Sequence, residues 1–227
     1  MSPTYQNKPS AVSSRVHVYH TLRESITSLN LKPGAAISEK EIADELHVSR
    51  TPVREAFLQL AQEQLLEIKP QRGSFITLID LEQVENARFI REHLELGIVK
   101  LACDQATSED LDEMDTNLIL QERMMTKQNY DRLFQLDGEF HRLIAASCGK
   151  QQVSDMIFHM NVQLERLRML SLSSNLNWYE ILSQHQQIHN AIKNRDHNKA
   201  EALMKEHLRM ITVDQVELKE QFPMYFK

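Results

Sequence analysis

The 227-residue chain holds two cysteines, five glycines, six prolines and one tryptophan, with aromatic residues at 6%. Two cysteines, Cys103 and Cys148, are too few to staple a secreted domain and too far apart in sequence for a paired metal-ligand motif. No apolar run reaches the ~18 residues of a membrane span, and Met1-Ser2-Pro3-Thr4-Tyr5-Gln6 lacks the basic-then-apolar order of a secretory signal. A reducing, cytoplasmic setting is therefore expected. Scarce glycine and proline predict long helices with few sharp turns, which argues against a TIM barrel, a β-sandwich or a collagen-like chain. The composition that remains, 41% hydrophobic and 26% charged, is that of an ordinary globular protein with one large domain or two small ones.

Charge is unevenly spread. Residues 1–76 carry 9 Lys/Arg against 8 Asp/Glu, and the remainder 17 against 24, which together give the formal net charge of −6. A faintly basic head on an acidic body is compatible with a nucleic-acid-binding head, although solvated helix faces give differences of the same size.

In the head, Val16, Tyr19, Leu22, Ile26 and Leu29 recur at three and four residues and predict a helix over roughly 14–30, ended by Pro33-Gly34. Ser38-Glu39-Lys40-Glu41 reads as a capping box opening a short helix with Ile42, Ala43 and Leu46 inside. His47-Val48 makes a tight connection, Ser49 is a second N-cap, and Pro52 suits the first turn of the next helix. Val53, Ala56, Phe57 and Leu60 form the buried stripe of that helix, leaving Arg50, Thr51 and Arg54 opposite. Two helices joined by a tight turn, the second exposing Arg/Thr/Arg at its start, form a helix-turn-helix that would offer those side chains to major-groove base edges. Two packed helices with a solvated basic edge would look similar. Leu65–Pro70 and Ser74–Ile79, joined by Gln71-Arg72-Gly73, then read as a basic-tipped hairpin, which is a wing.

These segments together resemble the GntR family of winged-helix repressors over roughly residues 12–77: Leu31-Lys32-Pro33-Gly34, Ser38 to Ala43, Val48 to Ala56 and Arg72-Gly73. The resemblance implies DNA contacts from Lys40, Ser49, Arg50, Thr51, Arg54, Arg72 and Gly73. One departure is Gln64, where the family usually has glycine; a non-glycine there has to adopt positive φ.

From about 80 to 220 helical periodicity is nearly continuous and predicts an all-α bundle of six or seven helices, one of them spanning 151–172 and the last running from His197 to about Glu220. The methionines read as core filler. The expected division is a winged helix-turn-helix domain at 10–79 and an all-helical domain at 80–222. Seven of the ten histidines fall in this body. Asp137 and His141, at i and i+4, share a helix face, and with His185 and His207 from two later helices they could hold Zn²⁺, or else Ni²⁺, Mn²⁺ or Fe²⁺. Spacing alone favours singly satisfied histidines over a metal site, and His189 competes as a partner of His185. The three ligand histidines would have to be neutral, so metal affinity is expected to fall near pH ~6.5.

The body is similar to the FCD effector domain of the FadR subfamily, through Arg91-Glu92-His93-Leu94-Glu95, Asp137-Gly138-Glu139-Phe140-His141, His185-Gln186-Gln187-Ile188 and Glu206-His207-Leu208. By that resemblance Asp137, His141, His185 and His207 are the metal ligands, His189 belongs to the packing, and Arg91 faces the effector. Arg168 is a second effector candidate, with Arg166 beside it; an ion pair with Glu165 is the competing role. The wing and Phe89-Ile90-Arg91 resemble those of an enterobacterial repressor of a sugar-acid operon, which implies a sugar-acid or hydroxy-acid effector. The expected protein is a homodimeric, non-enzymatic regulator that reads a palindromic operator in double-stranded DNA. No HExxH pattern, nucleophile elbow or phosphate loop points to catalysis.

Overall fold

The structure is a computed structural model and describes residues 11–174, 178–210 and 215–227. The chain forms two compact units, residues 1–79 together with 224–227, and residues 80–223.

The first unit begins with α1 (Ala11–Thr27), followed by β1 (Ala36–Ile37), α2 (Glu39–Glu45), α3 (Arg50–Gln62), β2 (Leu66–Lys69) and β3 (Gly73–Ile76). α1 buries Val18, Tyr19, Leu22 and Ile26, whereas Val16 is 42% exposed. The buried stripe thus starts at Val18, because 3.6-residue periodicity admits either residue at its end. The Ser38 hydroxyl accepts the Glu41 amide at 3.1 Å and starts α2. Val53, Ala56, Phe57 and Leu60 of α3 are fully buried against the α1 stripe. β2 and β3 pair antiparallel, with Leu66 opposite Ile76 and Lys69 opposite Gly73. Ala36 and Ile37 add a third, edge strand on β3, giving the order β1-β3-β2. A two-residue strand carries no readable alternation, so the sequence did not announce it. Residues 224–227 return to this unit, where Ile79 donates to the Tyr225 carbonyl at 2.8 Å and accepts from Lys227 N–H at 3.0 Å.

Scarce glycine has a conformational cost at the helix ends. Gln64 takes φ 56°, while Leu65 N–H closes back on the Leu60 carbonyl at 2.9 Å and ends α3. His47 does the same at φ 53°, with Val48 N–H on Ala43 O at 3.0 Å, and so forms the turn between α2 and α3. Left-handed backbone costs a side-chain-bearing residue ~1–2 kcal/mol, and glycine returns about half of that through its unfolded-state entropy. Gln64→Gly is therefore expected to stabilise the protein by roughly 0.5–1 kcal/mol in urea denaturation. An unchanged or lowered midpoint would contradict this account of the turn.

The second unit is helical: α4 (Leu81–Gln105), α5 (Ser108–Thr126), α6 (Tyr130–Ala146), α7 (Gln151–Met160), α8 (Val162–Ser174), α9 (Trp178–Lys193), α10 (His197–Arg209) and α11 (Gln215–Gln221). Among the described residues this is eight helices rather than six or seven. The expected 151–172 helix is interrupted at Asn161, where ψ swings to 4° at the end of α7 even though the bonds to the Ile157 carbonyl (2.9 Å) and from Glu165 N–H (2.8 Å) persist across it. Apolar spacing runs through this junction undisturbed, so periodicity could not register it. The last expected helix is two, α10 and α11, with 211–214 outside the described residues. The methionines also divide: Met114, Met169 and Met204 are buried, but Met156 and Met160 are 61% and 53% exposed, which corrects their reading as core filler. α5 packs on α6 and α9, and α4 on α8 and α10. Val99, Phe140, Ile144 and Ile188 lie in the core between them.

Candidate functional site

Asp137, His141, His185 and His207 converge from α6, α9 and α10, with one ligating atom of each within 4.8 Å of all the others. All four are buried, Asp137 and His185 completely. His141 Nε2 lies 3.2 Å from His207 Nε2, and His185 Nε2 lies 3.3 Å from the same atom.

The outer nitrogens explain why those inner nitrogens face one another. His141 Nδ1 is held by Glu95 Oε2 of α4 at 2.5 Å, His185 Nδ1 by Gln121 Oε1 of α5 at 3.0 Å, and His207 Nδ1 by Gln184 Oε1 of α9 at 3.0 Å. These oxygens accept only, so each Nδ1 carries a hydrogen, and Nε2 is the ring nitrogen left to face inward. The Asp137 carboxylate adds a fourth acceptor. Its Oδ2 accepts Arg168 Nη2 at 2.6 Å, while Oδ1 sits 3.5 Å from His185 Nε2 with no hydrogen-bond partner. With their imidazoles neutral, the four residues would turn four acceptor atoms, one of them an orphaned buried oxygen, on one point, which is the complement of a cation. Zn–N bonds of ~2.0–2.1 Å place tetrahedral ligand atoms ~3.3 Å apart, close to the spacing here. The residues present fit a divalent metal.

The electrostatics agree. Burial opposes ionisation of Asp137, but Arg168 and the surrounding imidazoles outweigh it and hold the carboxyl far below its usual range. Burial likewise opposes ionisation of Glu95, which Arg91 and His141 nevertheless pull down to about 2. Burial pushes His185 down to about 3 and His207 well below the usual histidine value, so both are held neutral, as ligands must be.

His189 is buried, but its Nε2 lies on the Leu111 carbonyl at 3.2 Å, away from the quartet. The two candidate effector arginines lie beside the site. Arg91 Nε donates to Glu95 Oε1 at 2.6 Å, and Arg91 Nη1 stands 3.9 Å from Glu165. Arg168 spans Asp137 and, at 3.1 Å, Glu165, and its guanidinium stacks over Phe134. Arg166 is wholly buried and donates to Gln163 Oε1 at 3.1 Å. Glu95, Gln121 and Gln184 were missed in the sequence. The signal available for Glu95 was its i, i+4 spacing from Arg91.

In the first unit, Lys40, Ser49, Arg50, Thr51, Arg54, Arg72 and Gly73 are all exposed. Ser49 is the N-cap of α3 but makes no side-chain capping bond, so its hydroxyl remains available at the helix start. Arg50, Thr51 and Arg54 occupy the exposed side of the first turns of α3, opposite its buried stripe. Arg72 and Gly73 lie where β2 turns into β3, with Gly73 at φ 100°, a conformation that side-chain-bearing residues rarely adopt.

Known proteins bear on both units. Residues 14–76 match the bacterial regulatory proteins of the gntR family, and residues 87–210 match the FCD domain. The chain belongs to the GntR family of transcriptional regulators, in its FCD-containing branch. It is 34% identical over 195 residues, 86% of each chain, to the HTH-type transcriptional repressor RspR of Escherichia coli K12. Its fold is shared with E. coli McbR/YncC (TM-score 0.79, 24% identity, covering 92% of this chain and 99% of that one). A putative GntR regulator from Rhodococcus sp. RHA1 is similar at TM-score 0.75 and 21% identity, over 92% and 98% of the two chains. No helix among the described residues is long and apolar enough to cross a membrane.

Proposed function

We propose that this GntR-family regulator is a homodimeric repressor whose affinity for a palindromic operator is set by a small organic acid bound at a Zn²⁺ held by Asp137, His141, His185 and His207. The observation that carries this reading is the buried convergence of three imidazole nitrogens and one carboxylate, ligand atoms within 4.8 Å of one another, with Asp137 Oδ1 lacking a hydrogen-bond partner. Three histidines and one monodentate carboxylate leave a divalent ion free to add ligands from outside the protein, and a hydroxy acid or sugar acid chelates in that way. Arg91 is the partner for the acid's carboxylate: its Nε is fixed by Glu95, while its outer edge meets Glu165 only at 3.9 Å. Arg168, joined to Asp137, would report occupancy of the ion to α8. No catalytic role is assigned to the site, whose family relatives are transcriptional regulators.

In the division proposed here, residues 10–79 bind DNA and residues 80–222 bind the effector and dimerise. Lys40, Ser49, Thr51, Arg72 and Gly73 contact the operator backbone or groove edge, and Arg50 and Arg54 read bases. Arg54→Ala is expected to cost roughly 1–3 kcal/mol at particular operator positions and to relax selection there. A uniform loss across all sequences in a binding-site selection would reassign Arg54 to phosphate.

The whole reading is tested by a thermal-shift screen of sugar, hydroxy and fatty acids with and without a chelator, followed by operator binding with each hit. The expected hit stabilises the protein only when metal is present, and changes operator affinity by about 5- to 150-fold. Silence of every acid, with chelation alone lowering the melting point, would make the metal structural. Consumption of a bound acid would make the body an enzyme.

A further inference from the structure

We infer that Asn117 and Gln121 of α5 are positioning residues that fix which nitrogen of His185 faces the metal, an inference that rests on the metal-site reading above. An amide side chain can usually be turned either way, because its oxygen and nitrogen occupy the same space. Here the direction is set from one end. The Leu136 carbonyl, one residue before Asp137 on α6, can only accept, and it takes the Asn117 Nδ2 hydrogen at 3.1 Å. That turns Asn117 Oδ1 towards Gln121, which donates to it through Nε2 at 2.7 Å, with a longer contact of 3.5 Å from Nε2 to the Leu136 carbonyl. Gln121 Oε1 is then the only amide atom left for His185, and it meets Nδ1 at 3.0 Å. Reversing either amide would set oxygen against oxygen, or N–H against N–H, at the next link. His185 must therefore hold its hydrogen on Nδ1 and keep an Nε2 lone pair for the quartet.

The relay is dry, with Asn117 5%, Gln121 1% and His185 0% exposed, so water offers none of its members a ready substitute partner. It also assigns different jobs to the three supporting oxygens. Glu95 is a carboxylate and needs no orientation to accept. Gln121 accepts in the required sense only because a carbonyl two links away compels it. The i, i+4 spacing of Asn117 and Gln121 on one face of α5 is what allows a single helix to carry the signal from α6 to α9.

The test uses the full-length protein in two measurements. Long-range ¹H–¹⁵N NMR of the imidazole nitrogens reads the His185 tautomer in the chelator-treated protein, and a Zn²⁺ competition titration reads affinity. In the wild type His185 is expected to be protonated on Nδ1 alone. Gln121→Met, similar in size but without the acceptor, should show a mixed or reversed tautomer with a folded circular-dichroism spectrum. Its Zn²⁺ affinity should drop about 10- to 100-fold, the usual effect of losing a group that orients a ligand. Gln121→Glu, whose protonated carboxyl can still donate to Asn117 Oδ1 and accept from His185 Nδ1–H, should restore the Nδ1–H form, a rescue that a merely space-filling role would not produce. Should Gln121→Met not fold, Asn117→Ala carries the same tautomer test with Gln121 in place. An unchanged His185 tautomer in both Gln121→Met and Asn117→Ala overturns the inference. If the wild type takes up no Zn²⁺, the metal reading fails by itself, while the tautomer comparison still decides the relay.

Discussion

Arg168→Met is expected to destabilise the metal-free protein by roughly 3–5 kcal/mol, and the metal-loaded protein by much less. Asp137 is fully buried, and its Oδ2 accepts the Arg168 guanidinium at 2.6 Å. With the guanidinium removed, a carboxylate remains in a dry interior without the cation that its Oδ2 accepts from. A buried charge left in this way costs far more than the pair contributed, because desolvation has already been incurred. Methionine fills the aliphatic volume of the arginine stem, so the loss reads charge rather than cavity. A divalent ion on Oδ1 would supply the missing positive charge, which makes the two effects non-additive. Urea denaturation of wild type and variant, each with chelator and with Zn²⁺, measures that coupling. Equal losses in the two conditions would mean that Asp137 does not sense an ion at the quartet. Acidification should narrow the chelated difference, since burial without Arg168 pushes the Asp137 carboxyl upward and protonation relieves it.

The same pair shows what the sequence could and could not convey. The i, i+4 spacing of Asp137 and His141 put both on one helix face, and resemblance to the FCD domain chose His185 and His207 over His189. The structure brings those four residues together. The partners that orient them come from 46, 64 and 23 residues away (Glu95, Gln121 and Gln184), distances at which no local pattern operates. Arg91 and Glu95 illustrate the gap: both stand in the same quoted stretch, but only the cation was assigned a role, because carboxylates on helix faces are usually solvated. Helices were legible as runs of periodicity, but their interruptions were less so. Asn161 interrupts 151–172 with one non-helical backbone angle, ψ 4°, and no glycine or proline marks the place. In the head, the turn chemistry was explicit enough to foretell the positive φ of Gln64, because the family resemblance supplied an expected glycine to compare it with.

Metal removal and acid should act on this protein through the same two histidines. Zn²⁺ at a thousand times its Kd is expected to add about 4 kcal/mol to stability, which chelation then removes. Acid works on the folding equilibrium. Unfolded histidine titrates near ~6.5, whereas burial holds folded His185 at about 3 and His207 well below the ordinary value. Between these limits the unfolded chain binds protons that the folded chain refuses. The stability contributed by the neutral imidazoles is therefore complete above ~6.5 and falls as the pH drops towards 3, by up to about 1.4 kcal/mol per pH unit for each group. For His185 and His207, competition by protons in the folded protein therefore lies below the ~6.5 of an ordinary histidine. At pH 5 His185 is still neutral while the fold persists, so loss of its hold on the metal on acidification should coincide with unfolding. Following bound Zn²⁺ and near-ultraviolet circular dichroism together from pH 7 to pH 4 tests this. Two superimposed transitions are expected, and release of the ion near pH 6 from a protein that keeps its native spectrum would show that the histidines titrate in place.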